Sequence, residues 1–262
     1  MVVYCRRTVV AALVFLSVLP HSARATWSIV VLDRNHKWIG VAGASCTPDV
    51  YGIMSLRPGQ GVFIAQAIGF DAAIERGNLL LAQNASADSV LRVITSAAVD
   101  SASRYRQYGL ATFDGGLAQF TGDSTATYHG QLRGVDVLVQ GNSLASAVVL
   151  ERVMKSIEKA RREGRPLYDV LMAGLRAGSR AGGDVRCGAQ RATSAFLVVA
   201  RPGERPYLPY LTLSVFRAER GSANAVDVLA DLLARWRASG GPANPITQQG
   251  VQPPGRRGAG KS

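Results

Sequence analysis

Thr26 is the residue of this sequence best equipped for covalent chemistry, because the segment before it reads as a removable leader. Arg6-Arg7, the apolar run Thr8 to Leu19, the helix breaker Pro20 and the small-residue site Ala23-Arg24-Ala25 follow one another in the order of a secretory signal. Cleavage after Ala25 would make Thr26 the first residue of the mature protein. An N-terminal threonine combines nucleophile and base: Oγ attacks while its own α-amine takes the proton. That amine has an ordinary pKa of about 7.7–8.0, so a useful fraction is neutral near physiological pH. Coincidence is the competing reading, since Ser, Thr or Cys follows a cleavage site by chance in roughly one case in six.

Other routes to chemistry find little material. His21, His36 and His129 are scattered, and neither C-x-x-C nor H-E-x-x-H occurs, so no metal site and no cofactor are expected. Gly182-Gly183 lacks the strand-to-helix setting and the lysine of a phosphate loop. Cys5 would leave with the leader, whereas Cys46 and Cys187 would remain in an oxidising compartment, where pairing and free thiols are both open.

The elements that must position Thr26 begin immediately after it. Trp27 to Leu32, the polar turn Asp33 to Lys37, and Trp38 to Ala44 predict a β-hairpin. Gly61 to Gln66 predicts a third strand. Helices are expected over Asp71 to Ala82 and over Ala87 to Val99, the latter capped by Ser86. Strands over Tyr108 to Phe113 and Leu117 to Thr121 flank the turn Asp114-Gly115. Val135 to Val139 predicts a further strand, followed by helices over Leu144 to Arg162 and Leu167 to Ala177. Strands over Thr193 to Val199 and Leu211 to Phe216 precede a last helix, Ala223 to Arg237. This rhythm of hairpins and helix pairs implies an α/β (α+β) chain: two stacked, mainly antiparallel sheets flanked by helices, a four-layer sandwich.

The organisation expected is a leader (1–25), one domain (26–238) and a disordered Gly/Pro-rich tail (239–262). The leader's apolar run is far shorter than the roughly 20 residues that span a bilayer, so no stable membrane anchor is expected. Arg6-Arg7 also resembles a twin-arginine signal, which leaves the export route open; the product is periplasmic or secreted. The 262-residue chain carries a formal charge of +12, yet three of its basic residues (Arg6, Arg7, Arg24) belong to the leader. Its densest basic run, Arg152 to Arg165, alternates with Glu151, Glu158 and Glu163 as a solvated helix face would. No stacking aromatics accompany the charge, and nucleic acid is not expected as a partner.

Several short motifs resemble a known family when taken in order. They are Thr26-Trp-Ser-Ile-Val-Val, Gly40-Val-Ala-Gly-Ala-Ser45, Phe120-Thr-Gly122, Val139-Gln-Gly-Asn142, Ala181-Gly-Gly-Asp-Val-Arg186 and the strand Ser194 to Val199. Together they resemble domain-of-unknown-function family 1028, whose members resemble N-terminal-nucleophile (Ntn) hydrolases; the likeness runs from about Thr26 to Phe216. The resemblance implies an αββα sandwich of Ntn type with Thr26 as nucleophile and base. It implies oxyanion donors from the Asn142 amide and the Gly141 backbone, or else a strand-to-helix turn capped by Asn142. Asp184 and Arg186 would fix the α-amine or hold a substrate carboxylate, or else form a surface turn or structural ion pair. Asp33 would point toward the site or only make its turn. Where the family pattern carries a lysine after Ala-Ser, this chain has Cys46, which vacates a charge that could tune the nucleophile. The activity implied is exported hydrolysis of a small amide or peptide. The alternative is a non-catalytic exported binding or envelope-assembly protein on the same fold. Association into homo-oligomers is compatible with either.

Overall fold

The computed structural model describes residues 26–241 and the backbone of residues 247–250. Strands β1 (Thr26–Asp33) and β2 (Trp38–Ser45) form an antiparallel hairpin in the register Thr26↔Ser45 to Asp33↔Trp38. On the far side of β1 lie β8 (Val137–Asn142) and then β7 (Gly130–Gly134); on the far side of β2 lie β9 (Ser194–Ala200), β10 (Leu211–Phe216) and β11 (Thr247–Gly250). These seven strands make one sheet. A second sheet is ordered β3 (Met54–Arg57), β4 (Gly61–Ala67), β5 (Arg106–Thr112), β6 (Gly116–Thr121).

Side-chain alternation along the strands separates three apolar cores. On β1, Trp27, Ile29 and Val31 join the core under α3 (Val148–Arg162), α4 (Leu167–Arg180) and α5 (Ala225–Ala238). Val30 and Leu32, on the opposite face, join Val62, Ile64, Leu138 and Phe196 between the two sheets. Phe63, Tyr108 and Leu110 look outward from the smaller sheet and pack against α1 (Asp71–Ala82) and α2 (Ala87–Ile94). The chain is therefore an αββα sandwich. Burial on both faces explains why β1 reads as a nearly unbroken apolar run.

Element boundaries depart from the sequence expectation where local chemistry intervenes. Ser86 caps α2 as expected, accepting from the Ser89 amide. The helix ends at Ile94 rather than Val99, however, because the Thr95 and Ser96 hydroxyls donate to the carbonyls of Leu91 and Val93. α3 starts at Val148 rather than Leu144: the Leu144 amide instead bonds the Tyr128 carbonyl in the approach to the helix. Val135, expected inside a strand, is 80% exposed and shares with Asp136 the tight turn between β7 and β8. The strands β3 and β7 were not expected, since their sequences MSLR and GQLRG are short and only partly buried.

The expected leader (1–25) lies outside the described residues, as does most of the expected tail. Within that tail, Thr247–Gly250 pairs in parallel with β10. Backbone pairing suffices there, because the outer edge of β10 offers unpaired amides and carbonyls whatever the side chains. Among the described residues, no helix is long and apolar enough to cross a membrane.

α4 lies close over β1 because Gly178 presents no side chain: a Cβ there would be 2.7 Å from Trp27 Nε1 and 2.9 Å from Val153 Cγ2. Gly178→Leu is expected to destabilise the fold by about 1–3 kcal/mol through overpacking, read as a lowered urea midpoint without a change in slope.

Candidate functional site

Thr26 opens an interior strand, and neighbours on both sides hold it in place. In register, Thr26 faces Ser45 of β2 and Asn142 of β8. Its side chain points between the sheets, on the same face as Ser28, Val30 and Leu32. This interlayer is apolar at one end of the strand and polar at the other. Thr26 itself is 2% exposed, yet it forms part of the wall of a cleft of about 390 Å³ between the loop after β2 and the N-terminal turn of α1. Pro48, Ile53 and Ile74 supply apolar wall, and among the described residues its charged lining is Asp49 and Asp71.

Hydroxyls surround the Thr26 oxygen. Thr26 Oγ1 donates to Ser45 Oγ at 3.3 Å, and Ser45 Oγ also accepts from the Thr47 amide at 3.2 Å and from Thr47 Oγ1 at 3.0 Å. Tyr51 sits in the turn beside the cleft. Burial pushes its phenol above the ordinary value, the neighbouring Thr212 side chain opposes this, and the Asp49 carboxylate adds to the rise. The phenol is therefore neutral at pH 7 and supplies no base.

Two glutamines from the smaller sheet buttress the strand end. Ser28 Oγ donates to Gln66 Oε1 at 2.6 Å, and Gln66 Nε2 donates to Gln107 Oε1 at 2.7 Å and to the Thr26 carbonyl at 3.4 Å. Gln107 Nε2 in turn reaches the carbonyls of Gly141 (3.0 Å) and Gly130 (3.1 Å) and Thr121 Oγ1 (2.9 Å). Gln66 and Gln107 are 3% and 0% exposed, so each is a buried amide that earns its place by bonding. Ser45, Thr47, Gln66 and Gln107 were not singled out from the sequence. The available signal was a polar side chain on the inward-facing period of an apolar strand, as with Gln66 after Val62 and Ile64.

The expected site residues fall into three groups. Asn142 and Gly141 do stand beside Thr26, but not as cleft-facing donors. Asn142 is fully buried, its Nδ2 donates to Gln107 Oε1 at 3.2 Å, and its Oδ1 has no hydrogen-bond partner among the described residues. It ends β8 and caps no helix, since α3 begins only at Val148. Gly141 permits close approach: a Cβ there would lie 2.9 Å from the Thr26 carbonyl oxygen and 2.7 Å from Leu144 Cδ1.

Asp184 and Arg186 form a structural clamp. Asp184 is fully buried; its Oδ2 accepts from the Cys46 amide at 2.6 Å and from Arg186 Nη2 at 2.8 Å, and its Oδ1 from the amide and Nε of Arg186 at 3.0 and 3.1 Å. With four donors on two oxygens, this carboxylate has no capacity left for a ligand. The clamp is reinforced by a disulfide between Cys46 and Cys187, whose Cα atoms are 5.6 Å apart. Asp33 lies at the opposite end of β1, on the order of 23 Å from Thr26 at the usual strand rise. There it makes the hairpin turn, accepting from the amides of Asn35 and His36 and pairing with the His36 ring at 2.7 Å. Asp33 therefore does not belong to the site.

Among the described residues, no group of three or more His, Cys, Asp or Glu side chains is placed to hold a metal.

The model of the Family of unknown function (DUF1028) matches residues 26–225, so the chain belongs to that family. Among solved structures, protein SPO2555 from Silicibacter pomeroyi, described with the same family model, is 23% identical. The match covers 81% of this chain and 86% of that one with a TM-score of 0.67, a likeness of fold. More distant are Anbu (ancestral beta-subunit) from Yersinia bercovieri (10% identical, 81% and 95% covered, TM-score 0.40) and an Anbu (Gly-1) mutant from Hyphomicrobium sp. strain MC1 (13%, 82% and 96%, 0.36). No curated protein matches the chain.

If the buried amides hold the strand end, Gln107→Leu strands the Gln66 and Asn142 donors and should cost about 1–3 kcal/mol or more. Denaturant unfolding would measure the loss, and an unchanged midpoint would contradict the buttress.

Proposed function

We propose that this DUF1028 member is an exported amide hydrolase of the N-terminal-nucleophile kind, with Thr26 as nucleophile. The observation that carries this reading is the position of Thr26. It is the first residue of an interior strand, on the wall of a cleft, with its oxygen bonded to Ser45. The family match begins at the same residue, and the A-x-A site ends one residue earlier.

The chemistry follows from releasing the leader after Ala25. The freed α-amine takes the proton of Thr26 Oγ, directly or through the Ser45 hydroxyl, and Oγ attacks the substrate carbonyl. The C–N bond breaks, and the amine product leaves with that proton. An acyl ester remains on Thr26. Water, deprotonated by the same amine, then hydrolyses the ester and returns Oγ–H. Acylation needs the neutral amine, so the rate should fall as pH drops below the amine pKa, about 7.7–8.0 when unperturbed.

A second reading has its own support. At the position after Ser45, Cys46 is locked in a disulfide and supplies no titratable group, and Asp184 is saturated. An exported binding protein that uses the cleft without turnover fits those facts.

N-terminal sequencing of the secreted protein should begin at Thr26; any other start removes the autonomous nucleophile. A β-lactone probe should then add one acyl group to the wild type and none to Thr26→Ala. Addition should rise with pH through the amine's ionisation. Correct processing without an adduct would favour the binding protein.

A further inference from the structure

The basic run of α3 looks balanced in sequence, but folding sorts its charges. Arg152, Lys155 and Lys159 recur at the i, i+3, i+7 spacing of one helical face, spanning about 10 Å. That face borders α4, which follows through the short connection 163–166 and so returns antiparallel. Two adjoining grooves, of about 590 and 400 Å³, run along the pair and share Ser156, Lys159 and Arg180. The first is lined by Arg152, Lys155, Lys159 and Arg180 and by no acidic residue. The second adds Arg165, Arg176 and Arg237, against Glu163, Asp169 and Asp231. Glu151 and Glu158 line neither groove, and Glu158 turns instead toward Gly134 on β7.

Most of this charge is uncommitted. Lys159 reaches Glu163 at 3.8 Å and Arg237 reaches Asp169 at 2.9 Å. Arg180 bonds the Arg176 carbonyl through Nε alone. The side chains of Arg152, Lys155, Arg165 and Arg176 are exposed and make no hydrogen bond or ion pair among the described residues. Like charges gathered along a concave wall raise the local potential and repel one another, a cost that a bound anion would remove. Neither groove is lined by an aromatic side chain on which a base could stack.

We propose that the α3–α4 groove binds a linear, non-nucleotide polyanion, a chain of closely spaced phosphate groups without bases. The groove is elongated, its cations repeat along one axis, and it lies on the opposite side of the large sheet from the Thr26 cleft. It therefore acts independently of the hydrolase reading. Titration of the full chain with inorganic polyphosphate at low ionic strength tests it. Wild type should bind with an affinity that falls steeply with salt. Arg152→Glu with Lys155→Glu should weaken binding by about tenfold or more, and Arg152→Gln with Lys155→Gln by a smaller factor. The matched reversal Arg76→Glu with Arg92→Glu, on α1 and α2 across the molecule, should change it less than about twofold. Equal losses in both reversed pairs would reduce the effect to net charge and overturn the site. So would the absence of wild-type binding, or a single-stranded oligonucleotide of equal charge that binds as well as polyphosphate.

Discussion

Burial of one face of β1 against the second sheet is the constraint from which the rest of this molecule follows. Thr26, Ser28, Val30 and Leu32 share that face, and the pleat gives them no alternative once the strand is paired on both edges. Val30 and Leu32 anchor the register in apolar contact with the smaller sheet. The same register carries Ser28 and Thr26 into the far end of the interlayer, where the packing is polar. A slip of one residue would exchange Trp27 for Thr26 and place an indole among the glutamines. Apolar packing at one end of the strand thus positions a hydroxyl at the other.

Polar packing at the strand end trades stability for definition. Buried amides left without partners are costly, whereas a satisfied network is directional and admits few arrangements. Gln66 and Gln107 spend their donors and acceptors on Ser28, Thr26, Gly130, Gly141 and Asn142, joining five strands from two sheets. On the neighbouring side, Asp184, Arg186 and the Cys46–Cys187 bridge fasten the loop after β2. Asn142, Asp184 and Arg186 make their bonds within these walls, leaving Thr26 and Thr47 as the hydroxyls at the cleft, with Ser45 buried behind them.

The outer helical layer shows the same separation of labour in charge. Intervals of three and four residues bring Arg152, Lys155 and Lys159 onto one side of α3, and packing against α4 turns that side into a groove. Charge balance along the sequence does not imply balance on the surface, because neighbours in sequence point in different directions on a helix.

The sequence by itself determined the hairpin, most of the helices, the Ser86 cap and the layered class, since these rest on local periodicity and on turn chemistry. It also marked Thr26 as a candidate, because an order of charge, apolar run and small residues like that of a secretory leader is a one-dimensional signal. Tertiary structure alone decided which polar residues gather at that threonine. Gln66 and Gln107 come from strands forty and more positions away, and only the stacking of two sheets brings them under Ser28. The same holds for Asp184: no spacing in the sequence reveals that its carboxylate closes on the Cys46 amide, 138 residues earlier. Asp33 illustrates the converse. It lies on the same strand as Thr26, and strand geometry carries it to the other end of the molecule, where only a turn is required of it.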